Sequence, residues 1–404
     1  MKRLHHGWII AICGMIVLMC TNGFPANIFA SYLPFLKELG YSGTQTSSLV
    51  TIRCLSAFTG MTLVPLFYRR INLRIGLALS CLILAVAYFI HSFARSYAGY
   101  IAGAACMGLA HGFGGMIPIS LLMRNWFRQK RATAISISTV GMGIGSIILP
   151  PLVVRVAQGV SLPAAFRMTS YIALAIMVLA FLIIRDTPDE RGLTPFGYEK
   201  ATGEQDSAVA AEGRDIPRVP RYCMLFGLLL LGGVAMSAAG HFPTLFTSVG
   251  YSKEEAALSF SLLGISLTVS KLIFGPLVDR FGNRKASLLF LVLLTLGAVS
   301  CALCPLHPIC MYAGTLLMGL GFSPATVGIS LFAADFSAAK NYPSLLKDFQ
   351  RAFTAGGILF TSVPGKLFDL FGSYVISYWM FAGMVVAFTI ILLLVYRITE
   401  VKCA

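Results

Sequence analysis

Charge is scarce in this chain, and negative charge is scarcest of all. Only 12% of its 404 residues are Asp, Glu, Lys or Arg, against roughly 25% in soluble domains. With 57% hydrophobic residues and a mean hydropathy of +0.80, the composition excludes an ordinary soluble domain and points to a polytopic membrane protein. Other absences narrow the function. The chain has no glycine-rich nucleotide loop, no nucleophile–base constellation and no soluble output domain, so neither an enzyme nor a sensor is expected, and no cofactor is called for. The first six residues, Met1-Lys-Arg-Leu-His-His, lead into an apolar run too long for the core of a signal peptide, so no cleaved leader is expected. Most of the ten cysteines lie in apolar runs, as small packing residues do. Cys301-Ala-Leu-Cys304 has a metal-like spacing but only His307 for company, and no metal is expected there.

What is present is hydrophobic length. Apolar runs fall near 7–35, 45–67, 74–94, 97–123, 132–154 and 166–184, and again near 222–248, 256–278, 286–305, 309–333, 343–368 and 374–396. A bilayer needs roughly 20 apolar residues per helix, and in hydrocarbon only helices or closed barrels satisfy the backbone. The expected fold is an all-α membrane protein of twelve transmembrane helices. The 31 basic residues exceed the 16 acidic ones, giving a formal charge of +15. That charge would suit a nucleic-acid binder, but its placement says otherwise. Arg69, Arg70, Arg128, Lys130, Arg185, Arg221, Arg280 and Lys285 all fall in loops of one side, while the other side holds few, such as Arg95 and Arg155. By the positive-inside rule both termini are cytoplasmic, and the partner is the lipid bilayer rather than nucleic acid.

Residues 185–221 form the one real linker, rich in charge, Gly and small residues. They divide a six-helix half, 1–184, from a second, 222–404. The halves repeat each other. Gly40-Tyr41-Ser42 recurs as Gly250-Tyr251-Ser252, Pro65-Leu66 as Pro276-Leu277, and Met107-Gly108-Leu109 as Met318-Gly319-Leu320, all in one register.

The most specific stretch is KLIFGPLVDRFGNRK, residues 271–285. Gly275, Asp279, Arg280, Gly282, Arg284 and Lys285 spell G-x-x-x-D-R-x-G-x-R-K. This resembles the cytoplasmic loop signature of the major facilitator superfamily, whose two six-helix halves rock against each other to move solutes. In the first half the signature has decayed, with Tyr68 where Asp279 stands in the second. The resemblance implies that Asp279, Arg280 and Arg284 act in gating, pairing across neighbouring helix ends. Trp126-Phe127-Arg128-Gln129-Lys130-Arg131 followed by Ala132, Gly141 and Gly145 looks like the start of helix 5 in monocarboxylate and oxalate:formate transporters. Asn22-Gly23-Phe24 and Arg191-Gly192-Leu193 look like the same branch. There, an arginine in helix 8, four before the loop glycine, commonly binds the substrate carboxylate; here Lys271 stands at that position before Gly275. A basic residue of helix 11 often assists, and Arg351 is its counterpart here. One departure matters: proton symporters of the branch often carry an aspartate one turn before the helix 8 cation, and here that position is Leu267.

Several intramembrane residues carry two readings each. Lys271, inside an apolar run, either snorkels to the nearby surface or faces a watery path and awaits an anion. Arg53 in helix 2 is either substrate-facing or paired with a helix end. Arg351 could instead pair with Asp348, three residues before it. His111, amid Gly108, Gly112, Gly114 and Gly115, either lines the path or hydrogen-bonds a neighbour. His241 is a weaker candidate, and Phe322 either floors the site or packs. The expected function is transport of small organic carboxylate anions by exchange, with Lys271, Arg351, Arg53, His111 and Phe322 as candidate binding residues, in a bacterial-type inner membrane. A proton-coupled monocarboxylate symporter with a histidine as carrier is the alternative, in which protons are a second partner. A cationic-drug exporter is disfavoured, because such a pocket would hold acidic residues.

Overall fold

The computed structural model describes residues 5–198, 215–238 and 241–401. Residues 199–214 of the linker, with Lys200 and Arg214, and the terminal basic residues Lys2, Arg3 and Lys402 lie outside the described residues. The fold is all-helical. Helices α1 (His6–Leu18, continuing through Met19–Ile28), α2 (Gly43–Arg70), α3 (Leu73–Phe93) and α4 (Tyr97–Gly114 and Met116–Trp126) are followed by α5 (Arg131–Gly159) and α6 (Leu162–Ile183). The second series is α7 (Arg218–Ser237 and Phe242–Ser248), α8 (Lys253–Phe281) and α9 (Asn283–Ala302). It ends with α10 (Pro308–Gly321, Pro324–Gly328, Ile329–Asp335), α11 (Tyr342–Phe360 and Val363–Phe371) and α12 (Val375–Val401). Eleven of these are long and apolar enough to cross a membrane. The twelfth, α11, is cut at Thr361 and carries Lys347, Asp348 and Arg351 in its first piece.

The chain forms two compact units, Met1–Lys200 and Ala201–Ala404. Each is packed in the same way: α2 lies along α4, α3 along α6 and α1 along α5, and correspondingly α8 along α10, α9 along α12 and α7 along α11. The repeat extends to local chemistry. Ser42 and Gln45 close a capping box on α2, as Ser252 and Glu255 do on α8. Each box follows a glycine in a positive-φ conformation, Gly40 at 93° and Gly250 at 106°. This cap moves the start of α2 back to Gly43, two residues before the apolar run begins, because a polar first turn is stabilised by its cap rather than by lipid.

Small residues set the helix spacing. A side chain at Gly108 of α4 would strike the Arg53 carbonyl and Ser56 of α2, and one at Gly112 would strike Ala57 and Gly60. In the second unit Gly319 of α10 meets Ser266 of α8, and α7 and α11 interlock through Gly232 on Phe353 and Gly356 on Leu229. Lipid tails are as apolar as leucine, so such close backbone contact supplies much of the force between helices.

Candidate functional site

Besides α11, every third helix breaks: α1, α4, α7 and α10. α1 passes into a π-turn, Met19–Ile28, with Pro25 inside it. Proline lacks the N–H that would continue the α-helical ladder, and π-turns often accompany functional sites. α4 breaks at Gly115, whose φ of −78° and ψ of −152° are extended. α7 breaks before Phe242, and α10 passes through a second π-turn at Pro324–Gly328. Discontinuous helices of this kind bring backbone polar groups to membrane depth, where they are tolerated facing protein or a water-filled path.

In the first unit Arg53, His111 and Asn22 lie on three neighbouring helices, α2, α4 and α1, the last two of which carry such breaks. Arg53 lies about 15 Å along α2 from Gly43, by helical rise. It is only 9% exposed, its Nε has no hydrogen-bond partner, and one Nη donates to the Cys54 sulfur at 3.3 Å. The His111 Nδ1 and the Asn22 Oδ1 are also buried without partners. Asn22 sits on the π-turn of α1 with its amide against Gly115, while Thr21 donates to the Gly114 carbonyl at 2.7 Å and holds α1 to α4. Asn22 was quoted above only as part of a family-like triplet; its position on a broken helix is what singles it out.

In the second unit Lys271 lies about 15 Å from the end of α8 at Phe281 and is 7% exposed. Ser270 beside it donates to the Leu320 carbonyl and shares a hydrogen bond with Ser323, which ties α8 to the break in α10. Phe322 sits at that break, 3% exposed. In the repeat register Phe322 stands where His111 stands in the first unit, whereas Lys271 corresponds to Gly60 and Arg53 to Gly264. The two buried cations are therefore not repeats of one another. Arg351 rides on α11, which packs on α7, whereas α8 packs on α10. Asp348 pairs with Arg221 of α7 and lies 3.6 Å from Lys347, so its carboxylate ties α11 to α7. The His241 Nδ1 approaches the Ser237 carbonyl at 2.8 Å, bracing the break in α7.

At the basic end Asp279 and Arg280 are exposed, and Gly282, at φ 83°, makes the turn between α8 and α9. Arg284 lies over the Tyr396 ring at 5.8 Å. Sequence reasoning missed the centre of this region, Asp335, which accepts from Asn283 at 2.9 Å and from the Tyr396 hydroxyl. That carboxylate joins α9, α10 and α12, and the sequence signal was an acid at the end of an apolar run. The first unit is built differently: Tyr68, in the place of Asp279, donates to the Phe113 carbonyl at 2.8 Å. Asp186 caps α3 by accepting from the Leu73 and Arg74 amides at 2.7 and 2.8 Å. Residues 187–198 stay docked on this unit, with Phe196 receiving the rings of His5, Trp8 and Phe127. Among the described residues no group of three metal-ligating side chains is placed to hold an ion.

Comparison with known proteins gives this architecture its family. The sequence profile of the Major Facilitator Superfamily matches residues 12–337 and 224–402. Monocarboxylate transporter 12 of Homo sapiens is 24% identical over 308 residues, covering 68% of this chain and 57% of that protein. The uncharacterized transporter ESBP6 of Saccharomyces cerevisiae is 22% identical over 301 residues, 72% of this chain and 44% of the other, so the chain spans about half the length of these relatives. The proton:xylose symporter XylE, solved with 6-bromo-6-deoxy-D-glucose, superposes with a TM-score of 0.71 at 15% identity, covering 97% of this chain and 95% of that one. Profile, relatives and fold agree: the chain belongs to the Major Facilitator Superfamily, a family of membrane transporters and not of enzymes.

Proposed function

We propose that the chain is a secondary transporter of small organic carboxylate anions working by alternating access, and that Lys271 is the principal contact for the carboxylate. The observation that carries this reading is the depth and burial of Lys271: an ammonium 7% exposed, about 15 Å inside a membrane helix, beside the break in α10. A lysine at the centre of a membrane helix costs on the order of 2.5–3.5 kcal/mol and is rarely kept without a task. Arg351 on α11 is the second contact and Phe322 part of the apolar lining. The monocarboxylate transporter among the relatives supports the substrate class, and the motifs quoted above favour an oxalate:formate-like exchanger. Exchange follows from Leu267, which supplies no carboxylate one turn before Lys271 to rearrange in the empty carrier. In this reading both termini are cytoplasmic, which the lysine and arginine placement supports, and the membrane is a bacterial-type inner membrane. Asp279, Arg280 and Arg284 gate the basic end.

Counterflow in liposomes tests the reading. Purified protein should accumulate labelled formate or oxalate against an internal pool of the same acid. Failure with every small carboxylate tried, alongside transport of a neutral sugar, would overturn it. Equally fast filling of empty liposomes under an inward proton gradient would replace exchange with symport.

A further inference from the structure

We infer that the first unit holds an anion site of its own, formed by Arg53 with His111 and Asn22, which takes a carboxylate group independently of Lys271 and Arg351. The choice of carboxylate rests on the substrate class proposed above; the site itself rests on the first unit alone. Arg53 is more than nine-tenths buried about 15 Å into α2, yet its Nε has no partner and one Nη donates only to a thiol sulfur, a weak acceptor. It cannot escape by sliding outwards with its helix, because its own carbonyl abuts Gly108 of α4 and the next turn abuts Gly112. A buried ion with no compensating charge costs several kcal/mol.

Among the described residues no carboxylate is seen paired with Arg53. Glu38, beyond the outer end of α1, is the only acidic residue before Asp186, and Asp186 already caps α3. The Tyr88 hydroxyl is committed to the Phe24 carbonyl at 2.9 Å. On the adjoining helices two further buried polar atoms, the His111 Nδ1 and the Asn22 Oδ1, lack partners. Which face each presents is free to change: the amide by turning over, the imidazole by carrying its proton on Nδ1. Each can then donate to the same oxygen pair that the guanidinium binds. A planar fork of donors matches a carboxylate better than a spherical halide. The site lies at a π-turn and a helix break, so its walls come from three helices held together by Thr21, Gly108 and Gly114.

The test separates this site from the Lys271 contact. The full-length Lys271→Gln/Arg351→Gln protein in detergent is titrated with formate, acetate and chloride at fixed ionic strength, reading binding by calorimetry and by the rise in Tm. Formate or acetate should still bind. Adding Arg53→Gln should weaken that binding tenfold or more, the loss typical of hydrogen bonds to a charged group. Arg53→Lys, which keeps charge but loses the fork, should fall between. Arg53→Met should raise the ligand-free Tm, which also shows that the variant folds. No carboxylate binding in the double variant, equal binding with and without Arg53, or equal protection by chloride would each overturn the inference. The Lys271 reading fails on a different result, wild-type counterflow by Lys271→Gln alone.

Discussion

Replacing Lys271 by methionine makes opposite predictions for the empty and the loaded carrier. The side chain is 7% exposed and sits about 15 Å from the end of α8. At that depth an ammonium costs about 2.5–3.5 kcal/mol relative to an apolar residue, by membrane-insertion scales. Methionine has nearly the same length and no charge, so it removes that cost and leaves the packing on α10 in place. The empty variant should unfold at a higher temperature than the wild type. Binding should change the other way. A hydrogen bond to a charged partner contributes about 1.5–3 kcal/mol, so losing it weakens carboxylate binding ~10- to 150-fold. Thermal unfolding of purified protein, with and without a saturating small carboxylate, reads both effects in one assay. The expected signature is a raised Tm without ligand and a ligand-induced shift that has vanished. Lys271→Arg should keep a fraction of the shift. An unchanged ligand shift in Lys271→Met, together with wild-type counterflow, would refute the assignment; a lowered empty-state Tm would show that Lys271 is a structural tie.

Other perturbations reach other parts of the molecule. Liposomes preloaded with substrate should take up label many times faster than empty ones, and an imposed pH gradient should add little, because a bound anion offsets the desolvation of buried cations while an empty carrier retains it. Asp279→Asn should weaken the latch at the basic end, and cysteine labelling from that side should rise; unchanged labelling would remove Asp279 from gating. Gly108→Ala places a methyl group on the Arg53 carbonyl and within 2.6 Å of Ser56, so α2 and α4 must part. A cost of about 1–3 kcal/mol is expected from such overpacking, read as a lower Tm, and a Tm equal to wild type would show that the contact yields.

The sequence by itself determined the helices, the repeat and the positions of the buried cations. Lipid makes each spanning helix satisfy its own backbone, so its length and apolarity are written locally, and a repeat needs only matching residues at a fixed offset. Lys271 and Arg53 stood out for the same reason: charge in an apolar run is visible without knowing its neighbours. The apolar run of α11 was harder to read, since Lys347, Asp348 and Arg351 interrupt it and Asp348 belongs to Arg221 on another helix. What only the tertiary structure decided are properties of pairs of helices. Asn22 gains meaning because Pro25 opens a π-turn and Thr21 fixes it to the break at Gly115. Tyr68 in place of Asp279 looked like decay, but it reaches the Phe113 carbonyl, an acceptor on another helix. Asp335 is an unremarkable acid in the sequence and a junction of three helices in the fold, because Asn283 and Tyr396 come from distant parts of the chain. A side chain's partner is set by which backbone lies alongside, and glycine contacts such as Gly108 on Arg53 settle that only once the helices have packed.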